Sequence, residues 1–203
     1  MNYIICILIG YFLGNINAAY IISNLKGFDI RTVGSNNAGA SNATIVMGWK
    51  VGILVGLIDI LKAFIAVVVA KAIFPNFELA AIIAGTSCVV GHIFPIFMRF
   101  KGGKGLASYL GMLLAIDWRL FIGFGLLIIL ITLITNYIAL ATLATVTIYP
   151  IYLIFIKNSI ISLVILTVIA IIIYYKHITN IKRIMTGQEV GLRKIKHFKK
   201  NLD

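Results

Sequence analysis

Arg99, Lys101 and Lys104 lie within one run of six residues, and Gly102, Gly103 and Gly105 leave the backbone bare around Lys104. Bare backbone N–H groups beside an ammonium form a concavity suited to a phosphate. A glycine-loosened basic loop on the cytoplasmic side of a membrane accounts for the same residues. A second run, Gly34-Ser35-Asn36-Asn37-Ala38-Gly39-Ala40-Ser41-Asn42, consists of small, amide-bearing and hydroxyl-bearing residues. It can wrap an anion with backbone N–H groups, and a helix starting here adds the positive end of its dipole. An ordinary capped turn has the same composition. A third run, from Lys176 through His177 and Asn180 to Arg183, is followed by Gly187-Gln188-Glu189. His177 and Asn180 are three apart and share a face if this stretch is helical; a basic surface for anionic lipid headgroups is the alternative.

Several chemistries are excluded by what stands at the neighbouring positions. The first run is no Walker A loop, since Met98 occupies the place of its first glycine and Gly105 that of its Ser or Thr; the second has Ala40 where the lysine belongs. Asn36 breaks the G-x-G-x-x-G pattern, and Phe97 rules out a His-x4-Asp core at His92. Cys6 and Cys88 sit in apolar runs without metal-ligand spacing, so they are read as reduced packing residues, with no metal and no cofactor expected. No nucleophile has a base beside it, Ser35 included. That absence fits a reaction whose donor arrives already activated.

The elements that must position these runs are membrane spans. Of the 203 residues 61% are hydrophobic and 12% charged, with a mean hydropathy of +1.06, whereas soluble domains carry about 25% charge. A crossing needs about 20 apolar residues. Apolar segments run over 3–22, 51–74, 79–97, 105–116 and 160–175. The uncharged stretch 120–156, too long for one span, folds back near Thr135-Asn136 into two. The expected fold is an all-α integral membrane bundle of about seven spans, five if the fourth and fifth segments are re-entrant, forming one membrane-embedded domain over 1–203. Pro75-Asn76 and Lys157-Asn158 read as turns. Asp59 and Lys62, three apart inside a span, must face protein or water and can pair with each other. Fourteen of the eighteen Lys and Arg residues fall in the 24–50 linker, the 99–104 loop and the tail after Tyr175. The positive-inside rule then puts the N-terminus outside and the C-terminus inside, with the three polar regions on the cytoplasmic face. The net charge of +12 accordingly reports orientation and contact with membrane lipids, not a nucleic-acid partner.

Three blocks, GSNNAGASN at 34–42, GHIFPIFMRFKGGKGLA at 91–107 and KHITNIKRIMTGQE at 176–189, resemble the bacterial acyl-phosphate-dependent glycerol-3-phosphate acyltransferases, the PlsY family of inner-membrane enzymes. Supporting matches are Tyr11-Phe12-Leu13-Gly14, Asp29-Ile30-Arg31 and Asp59-Ile60-Leu61-Lys62. The resemblance implies transfer of a fatty acyl group from acyl-phosphate to sn-glycerol 3-phosphate, giving lysophosphatidic acid and inorganic phosphate at a site facing the cytoplasm. It implies that Gly34, Ser35, Asn36, Asn37, Gly39, Ala40 and Asn42 hold the acyl-phosphate. Lys101, Gly102, Gly103, Lys104, Thr142, His177 and Asn180 would hold glycerol 3-phosphate. Ser35, Lys104, His177 and Asn180 would be catalytic, with His92, Asp59, Lys62 and Glu189 in support.

The chain departs from the family pattern in its active blocks. Asn36 stands for a glycine, a substitution compatible with a turn of positive φ because Asn tolerates that region. Ser41 stands for a threonine and Ile45 for an arginine, while Asn15-Ile16-Asn17 replaces Ser-Ile-Pro. Near the fold-back, Asn136 and Ala139 replace an Arg and a Ser. Two rival readings follow: a divergent paralogue that acylates another acceptor or hydrolyses acyl-phosphate, and a phosphate or organic-anion transporter. The transporter reading expects polar residues near the membrane midplane, whereas these anion-suited runs gather towards one face.

Overall fold

The computed structural model describes residues 1–156 and 159–194, Lys194 by its backbone alone. The Lys157-Asn158 turn and the tail bases Lys196, Lys199 and Lys200 lie outside the described residues. Among those described the chain is helical throughout, and it forms two compact units, Met1–Phe121 and Ile122–Asp203. Among the described residues six stretches are long and apolar enough to cross a membrane: Asn2–Leu25, Trp49–Ile73, Ala80–Met98, Trp118–Thr135, Ile138–Phe155 and Ile160–Met185. Leu106–Ile116 is a shorter apolar helix.

The first unit holds α1 (Asn2–Gly14), α2 (Ala18–Leu25), α3 (Ala40–Met47), α4 (Trp49–Ile73), α5 (Ala80–Ile93), α6 (Leu106–Ile116) and the start of α7 (Trp118–Thr135). The helix α4 packs against α1, α3, α5 and α6, and α1 lies along α5. Close approach of α1 and α5 rests on glycine: a Cβ on Gly10 or Gly14 would strike the carbonyls of Ala84 and Cys88, and one on Gly91 that of Tyr11. Such backbone contact is how helices associate where lipid supplies no hydrophobic driving force.

The first span expected from 3–22 lies within the apolar stretch Asn2–Leu25, but its helix is not continuous. It is interrupted at Asn15–Asn17, and the two asparagines are the reason. Asn17 is extended and caps α2, its side chain accepting the Tyr20 N–H at 2.9 Å. Asn15 donates to the Tyr11 carbonyl at 2.6 Å and accepts from the Ile96 N–H at 2.7 Å. The third segment, expected over 79–97, falls on Ala80–Met98, with its α-helix ending at Ile93. Pro95 lacks an N–H and disfavours helical geometry at Phe94. A 3-10 turn over Ile96–Met98 follows, with Arg99 and Phe100 left-handed at φ 54° and 59°. The chain then doubles back: Gly102 and Gly103 N–H groups donate to the carbonyls of Ile93 and His92, each at 3.1 Å.

The second unit comprises the rest of α7 with α8 (Ile138–Phe155) and α9 (Ile160–Met185). The expected turn at Thr135-Asn136 separates α7 from α8. The last helix runs ten residues beyond the expected Tyr175, so His177 and Asn180 are on a helix. Thr142, Thr145 and Thr147 return their hydroxyls to carbonyls four residues back, which satisfies them inside an apolar helix. Thr147 also meets the Tyr174 hydroxyl at 2.8 Å, joining α8 to α9.

Candidate active site

The 34–42 turn is built around Asn42, which is fully buried. Its Nδ2 donates to the carbonyls of Ile30 and Val33 at 2.9 and 3.0 Å, and its Oδ1 accepts the Ser35 N–H at 2.7 Å. Both amide protons are therefore used within the loop, and an ionised phosphate needs donors. The Asn42 side chain organises the turn. Gly34 and Asn36 both have positive φ, 61° and 59°, so asparagine does hold the turn where the family has glycine. At the start of α3 the N–H groups of Ala40 and Ser41 have no intrahelical acceptor, and no side chain caps the helix. They lie at the positive end of the dipole. Ser35 and Asn37 are half-buried beside them. Ile45, one turn further along α3, is buried with 3% exposure.

The basic loop abuts this turn. Gly103 sits so close to the Ala38 carbonyl that an added Cβ would lie 2.8 Å from its oxygen and would strike the His92 ring. Asn17 fixes the same carbonyl by donating to it at 3.0 Å. Arg31 adds a second tie, donating to the Met98 carbonyl at 2.8 Å while its other nitrogens grip Asp29. Lys104 is half-buried and is followed by Gly105, whose φ of 93° turns the chain into α6. Lys101 is exposed. Thus Ser35, Ala40, Gly103 and Lys104 belong to two adjoining loops whose groups are donors and one cation. Asp59 and Lys62 pair at 2.7 Å as their spacing implies, and His92 joins them.

In the second unit His177 and Asn180 are both buried on α9. His177 Nδ1 lies 2.8 Å from the Ile173 carbonyl. A carbonyl only accepts, so Nδ1 carries a proton and Nε2 holds the lone pair of the neutral ring. Asn180 donates to Glu189 Oε1 at 2.5 Å, which orients the amide. Thr142 is buried and donates to the Ile138 carbonyl at 2.9 Å, leaving its oxygen as an acceptor in this rotamer. Asn136, with φ 71°, clasps the chain beyond α9: its carbonyl and Oδ1 accept the N–H groups of Leu192 and Arg193 at 3.0 and 2.9 Å.

The residues that sequence reasoning passed over are ties between distant loops. Asn17 carries a local signal, a capping residue inside an apolar run. Arg31 and Asn136 carry none for their partners at 98 and 192.

The family model for glycerol-3-phosphate acyltransferase matches residues 4–187. A protein named glycerol-3-phosphate acyltransferase 1 from Oceanobacillus iheyensis is 46% identical over 137 residues, covering 64% of this chain and 66% of that protein. A glycerol-3-phosphate acyltransferase from Aquifex aeolicus is 40% identical over 117 residues, 58% of this chain and 61% of its own length. The matches thus span just under two thirds of these relatives. Among solved structures, the crystal structure of PlsY, an integral membrane glycerol 3-phosphate acyltransferase in its glycerol 3-phosphate form, superposes with a TM-score of 0.88. It is 33% identical, over 97% of this chain and 98% of that one. On a match covering nearly its whole length, the chain belongs to the glycerol-3-phosphate acyltransferase family.

Proposed function

We propose that the protein transfers a fatty acyl group from acyl-phosphate to the hydroxyl of sn-glycerol 3-phosphate, yielding lysophosphatidic acid and inorganic phosphate. The observation that carries the reading is the contact of Gly103 with the Ala38 carbonyl. It joins a helix-start turn of N–H donors to a lysine loop, in a reaction whose two substrates each bring a phosphate. The 34–42 turn holds the donor's phosphate through the N–H groups at the start of α3 and the Ser35 hydroxyl. Lys104, with the Gly102–Gly103 backbone and Lys101, holds the acceptor's phosphate. Thr142, His177 and Asn180 are carried over from the family motif, residue by residue, as acceptor contacts.

The acceptor hydroxyl attacks the acyl carbonyl carbon, the bond from that carbon to the phosphate oxygen breaks, and phosphate leaves with the electron pair. The hydroxyl proton passes to His177 Nε2 or to a substrate phosphate. Phosphate is a good leaving group, so orientation and neutralisation of charge supply the catalysis. The site works at the cytoplasmic side of a bacterial cell membrane, and the acyl chain enters from the bilayer. The names of the relatives and the glycerol 3-phosphate and lysophosphatidic acid forms of the structural neighbour support the reading.

Lys104→Ala tests it. A charge-assisted contact to phosphate is worth roughly 1.5–3 kcal/mol, so kcat/KM for glycerol 3-phosphate should fall about ten- to a hundredfold in protein that remains folded in detergent. A near-wild-type kcat/KM would remove Lys104 from the reaction.

A further inference from the structure

Behind the meeting point of the two loops lies a buried ionic trio that the proposed chemistry does not use. Asp59 and Lys62 on α4 and His92 on α5 are each at most 4% exposed. The Lys62 ammonium is 2.7 Å from Asp59 Oδ1, 2.9 Å from His92 Nδ1 and 2.7 Å from the Ile16 carbonyl, to which it donates. Asp59 Oδ1 also lies 3.3 Å from His92 Nδ1, so the three side chains close on one another. Gly103 packs against the other ring nitrogen of His92, Nε2.

Two routes therefore lead from Lys62 to the same place. One runs through the His92 ring to Gly103, the residue before Lys104; the His92 carbonyl also accepts the Gly103 N–H at 3.1 Å. The other runs through Ile16, held by its carbonyl, to Asn17, whose Nδ2 donates to the Ala38 carbonyl at 3.0 Å. Both end where Gly103 meets Ala38. Buried ion pairs add little stability over apolar replacements, and ionisable groups within a span are costly, so packing alone is a poor account of the trio.

We propose that Asp59, Lys62 and His92 are positioning residues: they set the 34–42 turn and the Lys104 loop at the spacing that lets both phosphates bind, with the His92 ring edge as the stop for Gly103. This rests on the reading of Lys104 as the acceptor's phosphate ligand. Misplacing that backbone by a fraction of an ångström should cost binding of glycerol 3-phosphate first.

The test compares His92→Gln, whose amide reaches the Nε2 position, with His92→Asn, which stops short of it. Each is purified and assayed for Tm and for KM and kcat towards glycerol 3-phosphate, with Lys104→Ala alongside. The expected result is a KM raised about tenfold or more in His92→Asn, with KM nearer wild type in His92→Gln and Tm similar in both. A purely structural trio would lower Tm and leave KM of the folded protein unchanged; that outcome overturns the proposal, as does an Asn variant that outperforms Gln. If His92→Asn does not fold, Asn17→Ala leaves the trio intact and cuts its second route, the bond to the Ala38 carbonyl. A raised KM there supports the proposal and an unchanged KM overturns it. Should Lys104→Ala itself be silent, the reading of the loop fails; a damaging Lys104→Ala beside silent His92 variants overturns the positioning role alone.

Discussion

Asn42 has its whole amide engaged in three hydrogen bonds that shape the loop before it. Asn42→Asp keeps the acceptor for the Ser35 N–H but turns a carboxylate oxygen towards the carbonyls of Ile30 and Val33. Leaving buried groups unsatisfied costs about 1–3 kcal/mol, so the variant should melt several degrees lower and lose acyltransfer; a Tm and rate equal to wild type would show that the loop is held otherwise. At this scale the sequence was legible where partners are local. The i, i+3 spacing of Asp59 and Lys62 gave their pairing, and the tolerance of Asn for positive φ gave Asn36. His92 as their third member was not legible, because thirty residues and a helix crossing separate it from Lys62. The partners of the Asn42 amide were not legible for a similar reason: an amide that suits an anion suits carbonyls twelve residues away equally well.

At the scale of elements, the linker between α2 and α3 is fastened to the turn after α5 by Arg31. Its guanidinium grips Asp29 at 2.6 to 3.0 Å, donates to the Met98 carbonyl and lies over the Tyr20 ring at 4.7 Å. The hydrogen bond from Arg31 holds the Asp29 carboxyl below the usual carboxylate range. A depressed folded value means that this contribution is complete above the unfolded value of about 3.9 and disappears as pH falls through the folded one. Asp29→Asn should therefore lower Tm at neutral pH, and the gap to wild type should close below about pH 4. A gap independent of pH would assign the effect to something other than the ion pair. Long apolar runs marked the helices well, since hydropathy alone selects them. Their interruptions were harder to see: Asn15 and Asn17 break the first span by bonding to neighbours at 11, 20, 38 and 96, and two polar residues barely alter a window average. Pro95 was the visible breaker of the third segment, yet the return of Gly102 and Gly103 onto α5 needed the fold.

For the whole molecule, the short α6 is the element on which the proposed topology turns. Its eleven residues extend about 16 Å at 1.5 Å per residue, against a hydrocarbon core of about 30 Å. The six longer candidates alone would return the C-terminus to the side of the N-terminus; α6 as a seventh crossing separates them. We propose seven crossings with the C-terminus in the cytoplasm, because Lys and Arg concentrate in the linker, the Lys104 loop and the tail. A reporter fused after Asp203 should be active only on the cytoplasmic side, and periplasmic activity would refute the seven-span topology. The most direct test of the central claim gives purified protein labelled acyl-phosphate with and without glycerol 3-phosphate. The account predicts that lysophosphatidic acid and free phosphate appear in equal amounts, and only when the acceptor is present. Phosphate released at the same rate without glycerol 3-phosphate, and no acylated product with it, would contradict it.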